Sequence, residues 1–448
     1  MASYHEDGIS EETNMKRTIL HAAVIGAISM GLSATAFATD GYQLVGIGQY
    51  AMGMGGAVVA APDDPLSAAI SNPAGLADMT PQAAFSAEIF NPTRKTNFGF
   101  GEIGSHSNIY GVPAIGWVAP AFGDGIVFGG GVYGTSGLGV NYIQPNTPLG
   151  TVQAYSSITF MQMAPSMAMK VNHHLSVGAS LNIAAEQGSF QQTIGQTVPG
   201  GTLPNGQPYP PSTSYTGLNL ASPSWAYGVG LTLGALYKVN SMVTLGFTYK
   251  SPIIFTPMTW QETGEVAGSL SNPVTGGPGQ YSGHLNYPQQ VALGLAIRPI
   301  PQWLISVEGQ WINWHATMDN FNIYGPSWSN GASSVALPLH WNNQWVANIG
   351  TQYNVNKWLQ VRAGYTYGSN PISNANTASN LIFPAVVQNA VTFGSTQKLG
   401  MGWKLTEAYM HSFANTISGT SPYYPYASEN ASATLAENSF GLQVGYDF

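Results

Sequence analysis

The sequence predicts an all-β fold, a transmembrane antiparallel β-barrel of 14 strands. Three observations carry that reading: a near absence of charge, a two-residue alternation of apolar and small polar side chains, and short turns alternating with long loops. In 448 residues there are 12 Lys and Arg and 20 Asp and Glu, so charged residues make up 7% of the chain, against about 25% in an ordinary soluble domain. A normal water-facing surface is excluded. Aromatic residues reach 11%, which argues against disorder. The longest apolar stretch, near the N-terminus, is shorter than the ~20 residues of a membrane-crossing helix. A net charge of −8 and the lack of any Lys/Arg run exclude a nucleic-acid partner. The absence of cysteine removes disulfides, thiolate metal sites and Cys nucleophiles.

Taken in order, the chain opens with an expected signal peptide over residues 1–38. Lys16 and Arg17 form a basic start, Ile19–Leu32 is mostly apolar, and Ala36-Phe37-Ala38 has the small-x-small form that signal peptidase cleaves. Residues 1–14 are acidic and out of keeping with a leader, so Met15 reads as the true start and the prefix as over-called. Residues 39–82 do not alternate and are rich in Gly, Ala and Met. They cannot form a membrane strand.

From residue 83 onward the period is two, which assigns one residue set to each face of a strand. Met161, Met163, Met167 and Met169 interleave with Gln162, Ala164, Ser166 and Ala168. The same dyad recurs in Leu175/Val177/Ala179/Leu181, Tyr227/Val229/Leu231/Leu233, Val243/Leu245/Phe247/Tyr249, Val291/Leu293/Leu295 and Leu359/Val361/Tyr365. Strands are expected near 83–91, 111–119, 125–134, 157–171, 174–187, 225–238, 242–255, 288–298, 303–313, 341–354, 358–368, 389–398, 403–413 and 436–448. The weakest is 403–413, where Glu407 interrupts the apolar phase of Trp403 and Leu405. Tight turns at 170–174, 238–241, 298–301 and 354–357 contrast with long loops at 134–156, 188–224, 256–287, 314–340, 369–388 and 414–435. Short turns on one side and long loops on the other fit the periplasmic and extracellular ends of an outer-membrane barrel. A single alternating run would also suit a half-buried strand of a soluble sandwich, but fourteen with an export signal do not.

Specific motifs add a family. Gly41-Tyr42-Gln43-Leu44, Gly53-Met54-Gly55-Gly56-Ala57, Asp63-Asp64 and above all Asn72-Pro73-Ala74-Gly75-Leu76 resemble the N-terminal hatch of the FadL-type long-chain fatty acid outer-membrane transporters, a family that also includes aromatic-hydrocarbon uptake proteins. Ala408-Tyr409-Met410-His411 and the alternating end Phe440-x-Leu442-x-Val444-x-Tyr446-x-Phe448 extend the similarity over the mature chain. The resemblance implies a hatch at 39–82 inside the lumen of a barrel at 83–448. It implies passive uptake of hydrophobic molecules, long-chain fatty acids in the first place or else aromatic or aliphatic hydrocarbons, by hatch rearrangement with lateral release through the barrel wall. No cofactor is implied. Expected partners are a hydrophobic small molecule, outer-membrane lipid and lipopolysaccharide, and the barrel assembly machinery, which would read the strand ending in Phe448. A monomer is expected.

Within that frame, Gly41, Asn72, Pro73, Ala74 and the triplet Gly129-Gly130-Gly131 are the candidate hatch and gating residues. Interior glycines permit a bend, so the triplet is expected to kink the third strand beside Asn72-Pro73-Ala74, or merely to make room for the plug. Pro73 holds Asn72 extended, as a pivot or as a fixed corner. Loop residues Tyr209, Tyr215, Leu218, Leu220, Trp260, Val266 and Leu270 would line an exposed capture groove, or else pack the loops together. By parity Lys250 and Arg362 point inward and could bind a carboxylate, unless Glu88, Glu186 and Glu308 pair with them. Such sparse cations also leave room for an uncharged hydrocarbon.

No Gly-x-Ser-x-Gly occurs and the histidines of the mature part fall mostly in loops and turns, so no enzyme and no metal site are expected. The rivals are an adhesion barrel acting through its loops and a general diffusion porin, although porin lumens carry charged rings.

Overall fold

The structure is a computed structural model whose described residues are 40–123, 125–198, 201–202, 207–209, 212–267 and 274–448. The expected signal peptide lies outside them. The barrel strands are β1 (Gln82–Asn97), β2 (Tyr110–Val118), β3 (Val127–Thr147), β4 (Gly150–Lys170), β5 (Leu175–Val198), β6 (Ser212–Lys238) and β7 (Val243–Lys250). They continue as β8 (Gln290–Ile300), β9 (Trp303–Ile312), β10 (Gln344–Asn354), β11 (Leu359–Gly368), β12 (Asn389–Gly400), β13 (Trp403–Gly419) and β14 (Ala431–Asp447). Consecutive strands pair antiparallel and β14 returns to β1, from Gln82↔Asp447 to Asn97↔Ser432. Closure gives every strand a partner on both sides, so most backbone groups are satisfied within the wall.

The alternation read from sequence is the inside–outside pattern of that wall. Phe85, Ile89, Met163, Met167, Leu231, Phe247, Leu293, Phe393 and Leu442 are exposed on the outer face, while Ser86, Glu88, Ser166, Thr232, Thr248 and Thr392 are buried toward the lumen. Three short turns share one device. The side-chain oxygens of Asn172, Asn240 and Asn356 each accept the backbone amides of the residues two and three positions on, at 2.8–2.9 Å, and so fix the reversal.

The structure corrects three sequence expectations. Most of 134–156, and of 188–224 beyond its tip, is strand rather than loop, because β3 to β6 continue past the lipid-facing part. From Gly134 to Val140 every residue of the β3 extension but Gly137 is buried, so the alternation that betrays a lipid-facing strand is missing there. The predicted strand 242–255 breaks after Lys250, and Ile254–Phe255 pairs separately with β6. β13, by contrast, forms in full, and Glu407 sits on its outer side, accepting a 3.5 Å hydrogen bond from Ser395.

Residues 40–81 pack within the barrel. Helix α1 (Gln49–Gly53) lies against β11 to β14, helix α2 (Pro65–Ile70) against β1 to β4, and the 3-10 turn Pro73–Asp78 against β3 to β6. Asp64 caps α2, accepting the Ser67 amide at 2.8 Å while Ser67 Oγ accepts the Asp64 amide at 3.2 Å, with Pro65 as first helical residue. The wall reaches in to hold this segment. Glu308 of β9 accepts the amides of Val58 and Val59 at 3.0 and 2.9 Å, and Gln443 of β14 bridges the Gln49 amide and Asp64 at 2.9 and 2.7 Å.

Close seating depends on inward glycines arranged around the wall. A methyl group at Gly178 of β5 would stand 2.5 Å from the Pro73 carbonyl carbon, at Gly246 of β7 2.3 Å from the Val59 oxygen, and at Gly350 of β10 2.3 Å from the Met54 oxygen. At Gly364 of β11 it would stand 2.3 Å from the Gly55 nitrogen. These glycines pair across strands, Gly178 with Gly234, Gly246 with Gly294 and Gly350 with Gly364. Each pair therefore opens a shallow trough in which plug backbone rests directly on wall backbone.

Candidate functional site

The wall has a gap between β2 and β3. β2 pairs with β1 along its whole length, but with β3 only from Ala114↔Tyr133 to Val118↔Gly129. The next residue of β2 is Pro113, which has no amide hydrogen to give. Opposite it, β3 bulges between Gly134 and Ser136. The start of the plug occupies the edge that β2 leaves. Leu44 N donates to Thr135 O and Gly137 N to Tyr42 O, both at 3.3 Å, and Gln43 bridges Ser136. A cavity fills the gap, with Pro113 and Met161 toward the outer face and Leu44, Phe90, Arg94 and Leu138 on the inside.

This places the irregularity of the third strand a few residues beyond the expected one. Gly129, Gly130 and Gly131 pair in register with Val118, Trp117 and Gly116 on one side and with Ser166, Pro165 and Ala164 on the other. They are not the kink. A methyl at Gly129 would stand 2.9 Å from Leu76 of the plug, and one at Gly130 2.6 Å from the Ala164 oxygen, so the triplet makes room. Asn72-Pro73-Ala74 lies not beside β3 but against Gly178 of β5 and Gly234 of β6. Asn72 is fully buried, donates to Val59 O at 2.8 Å and Ala235 O at 3.1 Å, and accepts the Ala74 amide at 3.1 Å. Gly41, at φ 73°, lies flat under Trp314 of an extracellular loop, which a methyl would meet at 2.6 Å.

A second cavity lies between the plug and the wall on the β7–β9 side. Lys250 lines it together with Asp40, Glu308, Gln162, Asn182 and Asn348. Among the described residues no side chain forms a hydrogen bond or ion pair with Lys250. Burial pushes the Asp40 carboxyl up to about 7, with Lys250 pulling the other way. Arg362 is differently placed. Its guanidinium donates to Gln352 and Thr396 at 2.7 Å and to Gln360 at 3.0 Å, and covers the ring of Tyr50 in α1 at 4.7 Å. It braces the plug through neutral groups, and Glu88, Glu186 and Glu308 form no salt bridge with it. Glu88 accepts instead from Ser439 at 2.6 Å.

The candidate loop residues are interior. Leu218, Leu220, Trp260 and Val266 are each at most 4% exposed, in an aromatic layer where Phe190 meets Phe321 at 5.3 Å and Phe383 at 5.6 Å. They join the loops together rather than form an exposed groove. Leu270 and the side chains of Tyr209 and Tyr215 lie outside the described residues. Sequence reasoning left Arg94 unassigned, although its even parity with Glu88 and Phe90 marks it as inward. Its Nη2 donates to Tyr110 Oη at 2.9 Å, while Nε, buried at the inner rim of the gap cavity, has no partner.

The plug is tied down at its far end. Asp78 takes ion pairs from Lys170 at the end of β4, at 2.9 Å, and Lys238 at the end of β6, at 2.7 Å. Partial burial raises the Asp78 carboxyl, but the two hydrogen bonds outweigh it and hold it below its ordinary value. A lowered carboxyl contributes stability that is present above its unfolded value and is lost as pH falls through the lowered one. Asp78→Asn is expected to remove about 1 kcal/mol of anchoring and to make residues 60–81 more open to amide exchange at pH 7, with little further change in acid. Exchange at the parent level would show that the pair anchors nothing.

A closed β-barrel with an apolar outer belt, a filled lumen and an opening in its side is a transport barrel of the bacterial outer membrane. The sequence profile described as outer membrane protein transport protein (OMPP1/FadL/TodX) matches residues 25–448. The chain belongs to this family, and so to its channels for hydrophobic compounds. No curated protein matches it. Among solved structures, the toluene transporter TodX of Pseudomonas putida superposes with a TM-score of 0.69 at 21% identity, over 92% of this chain and 100% of that one. A FadL homologue of Pseudomonas aeruginosa gives 0.68 at 18%, over 91% and 100%. The toluene transporter TbuX of Ralstonia pickettii gives 0.66 at 19%, over 90% and 99%.

Proposed function

We propose that the protein takes up uncharged hydrophobic molecules of monoaromatic or aliphatic hydrocarbon type, releasing them sideways through the β2–β3 gap after the start of the plug moves away. The observation that carries this reading is the gap itself, lined mostly by apolar residues with Arg94 at its inner rim, and closed from inside by Tyr42–Leu44. An apolar solute gains free energy by leaving water for such a cavity, and again by passing into the bilayer. The lumen is occupied by the plug, which argues against a diffusion porin. A neutral substrate also suits the cations, since Arg362 is engaged, Lys250 shares its cavity with two carboxylates, and Arg94 donates to Tyr110 and shares the cavity inside the gap with Glu437.

A second reading, uptake of long-chain fatty acids, rests on Lys250, whose ammonium has no bonded partner and faces an open cavity. Lys250→Met separates the two. Toluene uptake is expected to stay within about twofold of the parent, whereas a carboxylate ligand that relied on the ammonium would lose about tenfold or more in affinity. Labelled oleate and labelled toluene, offered to cells whose only hydrophobic-compound channel is this protein, provide the measurement. Toluene uptake that fell with Lys250→Met would overturn the neutral-substrate reading.

A further inference from the structure

The extracellular segment between β11 and β12 enters the barrel mouth. Asn380–Val387 are buried yet belong to no strand ladder. Side chains from elsewhere hold their backbone and Asn380. Trp341 Nε1 donates to the Asn380 side chain at 2.7 Å, Ser156 Oγ of β4 to Ile382 O at 2.6 Å, and Asn415 Nδ2 of β13 to Val386 O at 2.7 Å. A segment held by isolated side-chain hydrogen bonds opens at a lower free energy than a strand held in a ladder.

This segment separates two spaces. On its outer side, Ile382 and Phe383 line a pocket at the crown, walled by Leu218, Leu337, Pro338 and Tyr424, and among the described residues no charged one lines it. On its inner side, Pro384 and Ala385 line a cavity shared with Leu44, Phe90, Arg94 and Leu138. Those same four residues line the cavity of the β2–β3 gap. Two adjacent dipeptides of one strap therefore face the outside and the lateral gap respectively.

We infer that the crown pocket is the capture site for an uncharged apolar small molecule and that the strap Leu381–Val387 is the gate between this pocket and the lateral gap. The inference rests on the lateral-release reading above. A carboxylate or ammonium in the crown pocket would lose its hydration with no ion to replace it, so the pocket selects neutral molecules before the polar Lys250 cavity is reached. That cavity meets the route only at Gln43 and Leu44 of the plug, and otherwise runs along β7 to β9. Displacing the strap joins the crown pocket to the gap without unfolding any strand.

The test uses toluene uptake by cells carrying the full chain, with barrel folding followed by heat-modifiable gel mobility. Ala378→Trp fills the crown pocket and is expected to lower uptake at limiting toluene about tenfold. Ser156→Ala with Asn415→Ala frees the strap and is expected to raise the uptake rate severalfold. Gly134→Leu with Gly139→Leu blocks the gap and should suppress uptake in either background. Parent-level uptake by both the filled and the freed variants, with the gap variant still blocked, would overturn the strap and leave lateral release standing. Parent-level uptake by the gap variant would overturn lateral release itself, and the strap with it.

Discussion

Blocking the β2–β3 gap with Gly134→Leu and Gly139→Leu is expected to reduce hydrocarbon uptake by an order of magnitude or more while the barrel still folds. A methyl at Gly134 already stands 3.1 Å from Val112 across the gap, and one at Gly139 stands 3.2 Å from the Tyr110 hydroxyl. Leucine side chains at both positions would fill the space through which a solute must pass. Neither residue is paired to β2, so the substitutions remove no ladder hydrogen bond between those strands. Initial rates of labelled toluene uptake, set against surface abundance, give the comparison. If uptake continued unchanged with the gap filled, release would have to run through the lumen toward the periplasm.

The second large effect is expected at the glycine troughs. Gly350→Val or Gly364→Val would force a branched side chain into plug backbone that a single methyl already meets at 2.3 Å. Overpacking of this kind costs about 1–3 kcal/mol or more, and here the plug can yield while the wall is held by ladders on both sides. The expected result is a seated barrel with a displaced plug. In planar bilayers such a variant should show a steady ionic conductance where the parent is closed, and cells should become sensitive to large hydrophilic antibiotics. Gly309→Val in β9 is the control, since a methyl there meets nothing within 4 Å and conductance should stay at the parent level. Closed behaviour in both trough variants would show that the glycines spare space without holding the plug in place.

The two experiments act on different parts of one device. The gap is a local failure of strand pairing at Pro113 and the Thr135 bulge, covered by three residues at the start of the plug. The troughs and the Asp78 anchor fix the middle and the end of the plug. Movement can thus be confined to residues 40–47, with α1, α2 and the Asn72 corner remaining against the wall.

How much of this was legible beforehand follows from the range of each interaction. A strand's two faces are set by a period of two residues, so the outward set of Met163, Met167 and Leu231 and the inward set of Ser166 and Thr232 could be read from the chain alone. Glu407 was the informative exception. It breaks the apolar phase, and β13 forms regardless because its ladders to β12 and β14 do not depend on one outward side chain. Alternation does not mark a strand where both of its faces are buried, as in β3 from Gly134 to Val140 apart from Gly137. The triplet at Gly129–Gly131 drew attention as a run of glycines, yet the break came where one proline met one bulge across a strand pair, a coincidence of register that no linear pattern contains.

The sequence by itself determined that the chain is a barrel of fourteen strands with a non-alternating N-terminal segment, because charge, parity and turn chemistry are local properties. Only the tertiary structure decided which inward residues act. Inward parity marks Lys250 and Arg362 alike, but the packing of Tyr50 and the side chains of Gln352, Gln360 and Thr396 engages the arginine and leaves the lysine facing a cavity. Inward glycines read as merely small until the plug backbone is laid against them, because the distance that makes them necessary is one between residues hundreds of positions apart.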